Sequence, residues 1–343
     1  MTDPRQQTEK AHASPALPQV AGGASNRRVA CLLLSLAFAG STYAQGYPSR
    51  AVKVIVPWPP GQATDIAARM VAQKLQESTG QPFVVDNRPG AGGSIGTDAA
   101  AHSPADGYTL LAASSGPMSI MPSLQKLPYD PLKDFQLLGL VSRNPYALVV
   151  NPSFPAANAK EFVALLRANP DKYTFASSGT GATAHLFGEL FNTAAQVKAR
   201  HVPYKGSSPA LTDIINGQVN YMIETVASVV GHIRSGRLRA LGVSSAKRAG
   251  ALPEVPTLAE AADLKGFDVA AWIGYAAPAG TPREVVARLS AEMHKVMQAP
   301  DFRQRMLGAG LDLAAAPDDY AAFMRREQDR YAAVIKSANI RVE

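Results

Sequence analysis

Cysteine is almost absent: the chain of 343 residues has one, Cys31. That excludes a disulfide scaffold, a cysteine-based zinc site and an iron–sulfur cluster. Charge is also scarce, at 18% of residues, and aromatics make up 7% with two tryptophans. The basic residues Arg234, Arg237, Arg239, Lys247 and Arg248 form a loose run without interleaved aromatics. They read as a solvated face, and no nucleic-acid partner is expected. No H-E-x-x-H occurs, and His185 and His201 sit in no supporting metal-ligand motif. No metal and no cofactor are therefore expected. The longest apolar run, Val29 to Ala39, is roughly half of what a bilayer crossing needs.

What is present is apolar and rich in turns: 46% hydrophobic residues, 27 Gly and 26 Pro. That is a globular composition, and the length favours two domains or one large one. The excess of 34 Lys and Arg over 27 Asp and Glu gives +7, a mild preference for anions at most.

Residues 1–44 read as a leader. A polar, weakly patterned stretch is followed by Arg27-Arg28, the apolar run, and Ser41-Thr42-Tyr43-Ala44. A charged region, a short apolar region and small residues before a cut after Ala44 describe a secretory signal peptide. The mature chain would then carry no cysteine, which suits an oxidising compartment such as the periplasm.

From Tyr47 onward, short β-branched runs alternate with helical patterns. Val52 to Val56 predicts a strand, Asp65 to Glu77 a helix ending at Gly80, Phe83 to Val85 a strand, Ile95 to Ala101 a helix and Tyr108 to Ala113 a strand. The rhythm continues with strands over 173–176, 199–202, 219–223 and 238–243, and helices over 161–169, 186–194, 210–216 and 226–235. Helices close the chain over 282–297, 300–307 and 317–337. Such alternation predicts parallel pairing with right-handed crossovers. Two crossings between domains stand out. Gln136–Ser142 and Ala147–Val150 are split by Arg143-Asn144-Pro145, and Val269–Trp272 and Tyr275–Ala277 by Ile273-Gly274. The expected boundaries are 45–145 with 273–343 for the first domain and 146–272 for the second. Two extended segments form the hinge, and the ligand site is the cleft between domains.

Four motifs carry chemistry. The first strand runs into Pro57-Trp58-Pro59-Pro60-Gly61-Gln62-Ala63-Thr64-Asp65, where Thr64 or Asp65 would cap the helix and free amides would face an anion. Ser177 to Ala184 contains a G-x-G-x-x-A match through Gly179, Gly181 and Ala184. No carboxylate for a ribose follows the next strand, so the segment reads as a glycine and hydroxyl nest suited to a carboxylate. Gly92-Gly93-Ser94-Ile95-Gly96 matches the hydrolase elbow, but Asn87 to Ala91 separate it from its strand, so Ser94 reads as a helix start. Glu224 ends an apolar strand; it either caps the next helix or accepts from a ligand's ammonium or hydroxyl.

These and further stretches carry a resemblance. Tyr47-Pro48-Ser49-Arg50, Pro60-Gly61 with Thr64-Asp65, Asp86 to Gly93, Asp106 to Leu110, Leu127 to Asp130, His201 to Gly206, Gly217 to Val219, Ser244 to Arg248 and Pro278 to Pro282 run in one order along the mature chain. The chain resembles the Bug-type extracytoplasmic solute receptors of tripartite tricarboxylate transporters. The resemblance implies an α/β, two-domain periplasmic binding protein that closes like a flytrap, with a two-strand hinge. It implies no catalysis, a ligand that is a di- or tricarboxylate, an aromatic acid or an amino acid, a membrane permease as partner, and a monomer. A sensor kinase in place of the permease is the alternative, and a hydrolase using Ser94 a remoter one.

Carried over from the family, the gripping positions are Gly61 to Asp65, Ser114 to Gly116, Ser178 to Thr183, and Tyr204 to Ser207. The site set is thus Gly61, Gln62, Thr64, Asp65, Ser114, Ser115, Gly116, Ser178, Thr180, Gly181, Thr183, Tyr204, Ser207 and Glu224. Gln62 stands where the family usually has a second glycine, and Glu224 where it often has Asp.

Overall fold

Val52–Val56 forms strand β1, and helix α1 follows over Ala63–Thr79. Residues 46–315 and 319–337 are described by this computed structural model. The leader expected over 1–44 and the start of the last helix at Pro317 lie outside the described residues. Strand β2 (Phe83–Asn87), helix α2 (Ser94–Ala101) and strand β3 (Thr109–Ser114) complete the first half. A π-turn over Gly116–Ile120 and a 3-10 turn over Met121–Ser123 lead to strand β4, Phe135–Val150.

The second half runs α3 (Ala159–Ala168), β5 (Thr174–Ser177), α4 (Thr183–Ala194), β6 (Arg200–Pro203), α5 (Ser207–Ile215) and β7 (Tyr221–Thr225). It ends with α6 (Val226–Arg234), β8 (Arg239–Val243) and the short α7 (Leu258–Ala261). Strand β9 (Ala270–Pro278) returns to the first half, where α8 (Arg283–Gln298), α9 (Pro300–Gly308) and α10 (Tyr320–Ser337) follow.

The strands build two sheets. One has the order β2-β1-β3-β9-β4; the other places β4 between β8 and β7 and continues to β5 and β6. Pairing is parallel inside the strand–helix–strand units, β1 with β2 and β3, and β5 with β6 and β7. The expectation of parallel pairing fails for β4, β8 and β9, which run antiparallel to their neighbours. The reason is β4, which leaves the first sheet as an edge and enters the second as an interior strand of opposite direction.

Each sheet has its own apolar core. Phe162, Phe175, Phe191 and Tyr221 are fully buried in the second half, and Ile55, Leu111, Trp272 and Ala276 in the first.

The interruptions expected at Arg143-Asn144-Pro145 and Ile273-Gly274 do not occur. β4 is continuous over 16 residues and β9 over nine. They pair with each other from Phe135↔Pro278 to Pro145↔Ala270, and this mutual ladder satisfies backbone that the sequence suggested was broken. The register shifts between Leu137 and Gly139 and again between Leu140 and Ser142. Such bulges bend and twist a strand, which lets one strand serve two sheets.

Gly274 makes the crossing possible: a Cβ on it would lie 2.7 Å from the Gly139 carbonyl oxygen. No side chain fits between the ribbons there without moving backbone. Gly274→Ala is expected to cost about 1–3 kcal/mol, read as a lower urea midpoint at unchanged slope.

Candidate functional site

Helix α1 begins one residue after Gln62, whose backbone is extended (φ −80, ψ 161) and whose side chain makes no capping bond. The first intrahelical bond runs from the Ile66 N–H to the Gln62 carbonyl, 3.0 Å. The amides of Ala63, Thr64 and Asp65 precede it and have no acceptor four residues back. Helix α4 repeats the arrangement. Ala182 precedes it (φ −67, ψ 158) without a side-chain cap, and its first bond joins the Leu186 N–H to the Ala182 carbonyl, 3.1 Å. Elsewhere Asn158, Thr225 and Thr257 cap α3, α6 and α7 with their side chains, while α2, α5, α8 and α9 also begin without a side-chain cap but do not border this cleft.

Asp65 was expected as a possible cap, and it acts differently. Its Oδ2 accepts the Gly61 N–H (3.0 Å), Oδ1 accepts Asn87 Nδ2 (2.9 Å), and Arg69 pairs with both oxygens. Burial pushes this carboxyl up, but the bonds from Arg69, Gly61 and Asn87 outweigh it and hold it below the usual range. Asp65 is therefore consumed in shaping the loop, and the Gly61 amide with it.

The second loop is braced the same way. Gly181 N–H donates to His185 Nδ1 (3.2 Å), Gly179 N–H to Ser177 Oγ (3.2 Å), and Ser177 Oγ meets His201 Nε2 at 2.7 Å. The two imidazoles stack at 3.9 Å. Burial lowers His185 to about 4, and burial with His185 alongside lowers His201 to about 3. Both rings are thus neutral near neutral pH. They hold the glycine loop by accepting or sharing hydrogen bonds, and His185 Nε2 also lies 3.8 Å from Glu189 Oε1, one helical turn on.

The two uncapped helix ends share one cleft. It is lined by Trp58, Gln62, Ala63, Thr64, Ser114, Ser115, Asn144, Tyr146, Ser178, Thr183, Glu224, Thr225, Ala271, Trp272 and Ile273, with free space of about 30 Å³. That is room for one or two waters. The walls come close: a Cβ added to Gly116 would lie 3.4 Å from Thr183 Oγ1, and beside the cleft one added to Gly206 would lie 3.7 Å from Gln62 Nε2.

Of the expected site residues, Gln62, Thr64, Ser114, Ser115, Ser178, Thr183 and Glu224 line this cleft. Thr180 and Tyr204 line a neighbouring groove of about 420 Å³ that shares Trp58 and Ser178 with it. The Tyr204 hydroxyl donates to Asp213 Oδ2 at 2.6 Å. Gly61, Asp65, Gly116, Gly181 and Ser207 line neither space. Ser207 donates to Glu224 Oε2 (2.7 Å), while the Thr225 N–H donates to Oε1 (2.8 Å). Thr225, not Glu224, caps the helix after β7. Burial pushes the Glu224 carboxyl up, and these bonds offset part of the effect.

Sequence reasoning missed Trp58, Asn144, Tyr146 and Trp272. Trp58 lay inside the quoted first loop and was the accessible signal; its Nε1 donates to Ser114 Oγ at 2.9 Å. Asn144 was read as a strand break, yet it faces the cleft. Two buried polar atoms of the lining have no partner, Gln62 Nε2 and Asn144 Oδ1. Ser94 Oγ is likewise buried without a hydrogen-bond partner among the described residues.

The profile of the tripartite tricarboxylate transporter family receptors matches residues 67–340. The chain belongs to that family. The receptor is 37% identical over 321 residues to protein BugT of Bordetella pertussis strain Tohama I, covering 92% of this chain and 97% of that one. Its fold is similar to that of the periplasmic binding protein BugD (TM-score 0.81, 36% identity), over 87% of this chain and 100% of that one. It is equally similar to Rpa4515 of R. palustris, solved with adipate (TM-score 0.82, 34% identity), over 86% and 99%. The receptor thus has the two-domain α/β fold of periplasmic binding proteins, and its cleft lies where the two sheets meet.

The stacked histidines give the receptor an acid-sensitive loop. An unfolded histidine takes its proton near pH 6.5, whereas the folded rings stay neutral to about 4 and 3. The unfolded state therefore binds more protons below pH 6.5, and stability falls as pH drops through that window. The slope approaches about 1.4 kcal/mol per pH unit for each ring. Thermal melts between pH 7 and 4.5 are expected to show a shallower decline for His201→Gln than for the unmodified receptor.

Proposed function

We propose that this receptor captures a small organic carboxylate in the cleft between its two domains and delivers it to a tripartite tricarboxylate-type permease. The observation that supports it best is the pair of uncapped helix ends, α1 from one domain and α4 from the other, bordering one cleft. Helix N-termini carry partial positive charge and free N–H donors, which suit a carboxylate. Among the described residues that line the cleft there is no Lys or Arg. Backbone amides and hydroxyls therefore do the binding. Charge-assisted bonds contribute about 1.5–3 kcal/mol each, so three or four give about micromolar affinity once the costs of association are met.

The division into domains falls at 145/146 and 272/273 in this reading, with β4 and β9 as the hinge. A free space of about 30 Å³ does not hold an acid of several carbons, so the domains separate to admit it and close over it. The receptor works as a monomer in the periplasm after its leader is cut near Ala44, and it binds without transforming its ligand.

Proline substitution tests the amides directly. Proline is tolerated at the first helical position but has no N–H. The residues before it, Gln62 and Ala182, already have the extended backbone proline demands. Ala63→Pro and Thr183→Pro are expected to leave the melting temperature nearly unchanged. By calorimetry, each should weaken an acid identified from a thermal-shift panel by about 10–100-fold. Unchanged affinity in both variants would move the site elsewhere.

A further inference from the structure

Among the described residues that line the cleft there is one carboxyl, Glu224, and no side-chain cation to match it. Glu224 is 3% exposed, and its two oxygens accept from Ser207 Oγ and the Thr225 amide. Both neighbours donate to it, so the surroundings are built for an acceptor. Asn144, also on the cleft wall, donates its Nδ2 to Ser142 Oγ at 3.0 Å and leaves Oδ1 buried with no partner. A buried acceptor without a donor is costly, and a ligand donor is what would satisfy it. The helix ends of α1 and α4 answer one carboxylate. A second carboxylate would meet Glu224 in a low-dielectric space with nothing positive between them.

We propose that Glu224 and Asn144 make the receptor selective for a carboxylate that also bears an ammonium group, an amino acid, over dicarboxylates of similar length. This deepens the carboxylate reading above and rests on it. The cleft then matches a dipolar guest, with amides at the carboxylate and two acceptors, the Glu224 carboxylate and Asn144 Oδ1, at the ammonium. Burial raises the Glu224 carboxyl in the ligand-free cleft, and an ammonium beside it would favour the ionised form again. Rpa4515, solved with adipate, shows that a relative of the same fold takes a dicarboxylate. The distinction is therefore one of side chains and not of architecture.

The test is calorimetry at pH 8 with the standard L-amino acids and three matched pairs: 4-aminobutanoate with succinate, 5-aminopentanoate with glutarate, and 6-aminohexanoate with adipate. At least one amino acid is expected to bind about tenfold or more tightly than every dicarboxylate. Glu224→Gln, which keeps the shape, should weaken that amino acid about tenfold or more and leave the dicarboxylates unchanged or tighter. Asn144→Ala should do the same to a smaller extent, and melts of both variants check that they fold. If dicarboxylates bind as tightly as amino acids, or if Glu224→Gln weakens both classes alike, the selectivity is refuted while the carboxylate site stands. If no acid of either class binds, the carboxylate reading itself fails.

Discussion

An α-helix cannot satisfy its own first amides, and this receptor leaves that debt open twice in one place. Substituting alanine for a good capping residue costs about 0.5–2 kcal/mol, so Gln62 and Ala182 forgo stability that Asn158, Thr225 and Thr257 secure at other helices. Much else in the cleft follows from keeping those donors available and correctly aimed. Asp65 takes the Gly61 amide and His185 the Gly181 amide, so each loop is tied down by residues just behind the helix start. What remains facing the cleft is the first turn itself. A rigid donor set of this kind loses little entropy on binding, because the backbone that carries it is already ordered.

The hinge meets a different constraint. In the proposed closing motion two sheets move as bodies while sharing one strand, β4, which pairs with β9 in the first sheet and with β7 and β8 in the second. The β4–β9 ribbon does this with antiparallel pairing along its length and two register shifts. The close approach at Gly274 keeps the ribbon thin where it passes between the cores. The same ribbon delivers Asn144, Tyr146, Trp272 and Ile273 to the cleft wall, so the mechanical element is also part of the recognition surface.

Local patterns were well expressed in the sequence. The apolar stripe of α1 and the β-branched run of β1 need only near neighbours to be recognised, and both formed as expected. Helix α4 begins at Thr183, three residues before the apolar pattern predicts, because the glycine nest and not a capping side chain starts it. The continuity of β4 and β9 was not legible, since Pro145 and Gly274 read locally as breaks. Only the distant partner strand shows that they are tolerated. Asn144 and Trp272 were hidden for the same reason: each reaches the site by long-range pairing, not by a motif. Asp65 and Gly61 carried the right loop but the wrong task, because a motif cannot show which amides the protein spends on itself.

Closure and recognition are linked by geometry. In the proposed reading a small guest reaches the first-turn amides of α1 and of α4 together only when the two walls are close. A ligand shifts a conformational balance by no more than its difference in affinity for the two states. In the open state it would hold one helix end; in the closed state it would hold both. In the proposed reading, the second set of bonds is the differential that would drive closure. A molecule with one weakly basic oxygen gains little of it. Specificity and closure would then draw on the same amides, and the polar atoms left unpartnered at Gln62 and Asn144 would decide which guests complete the set.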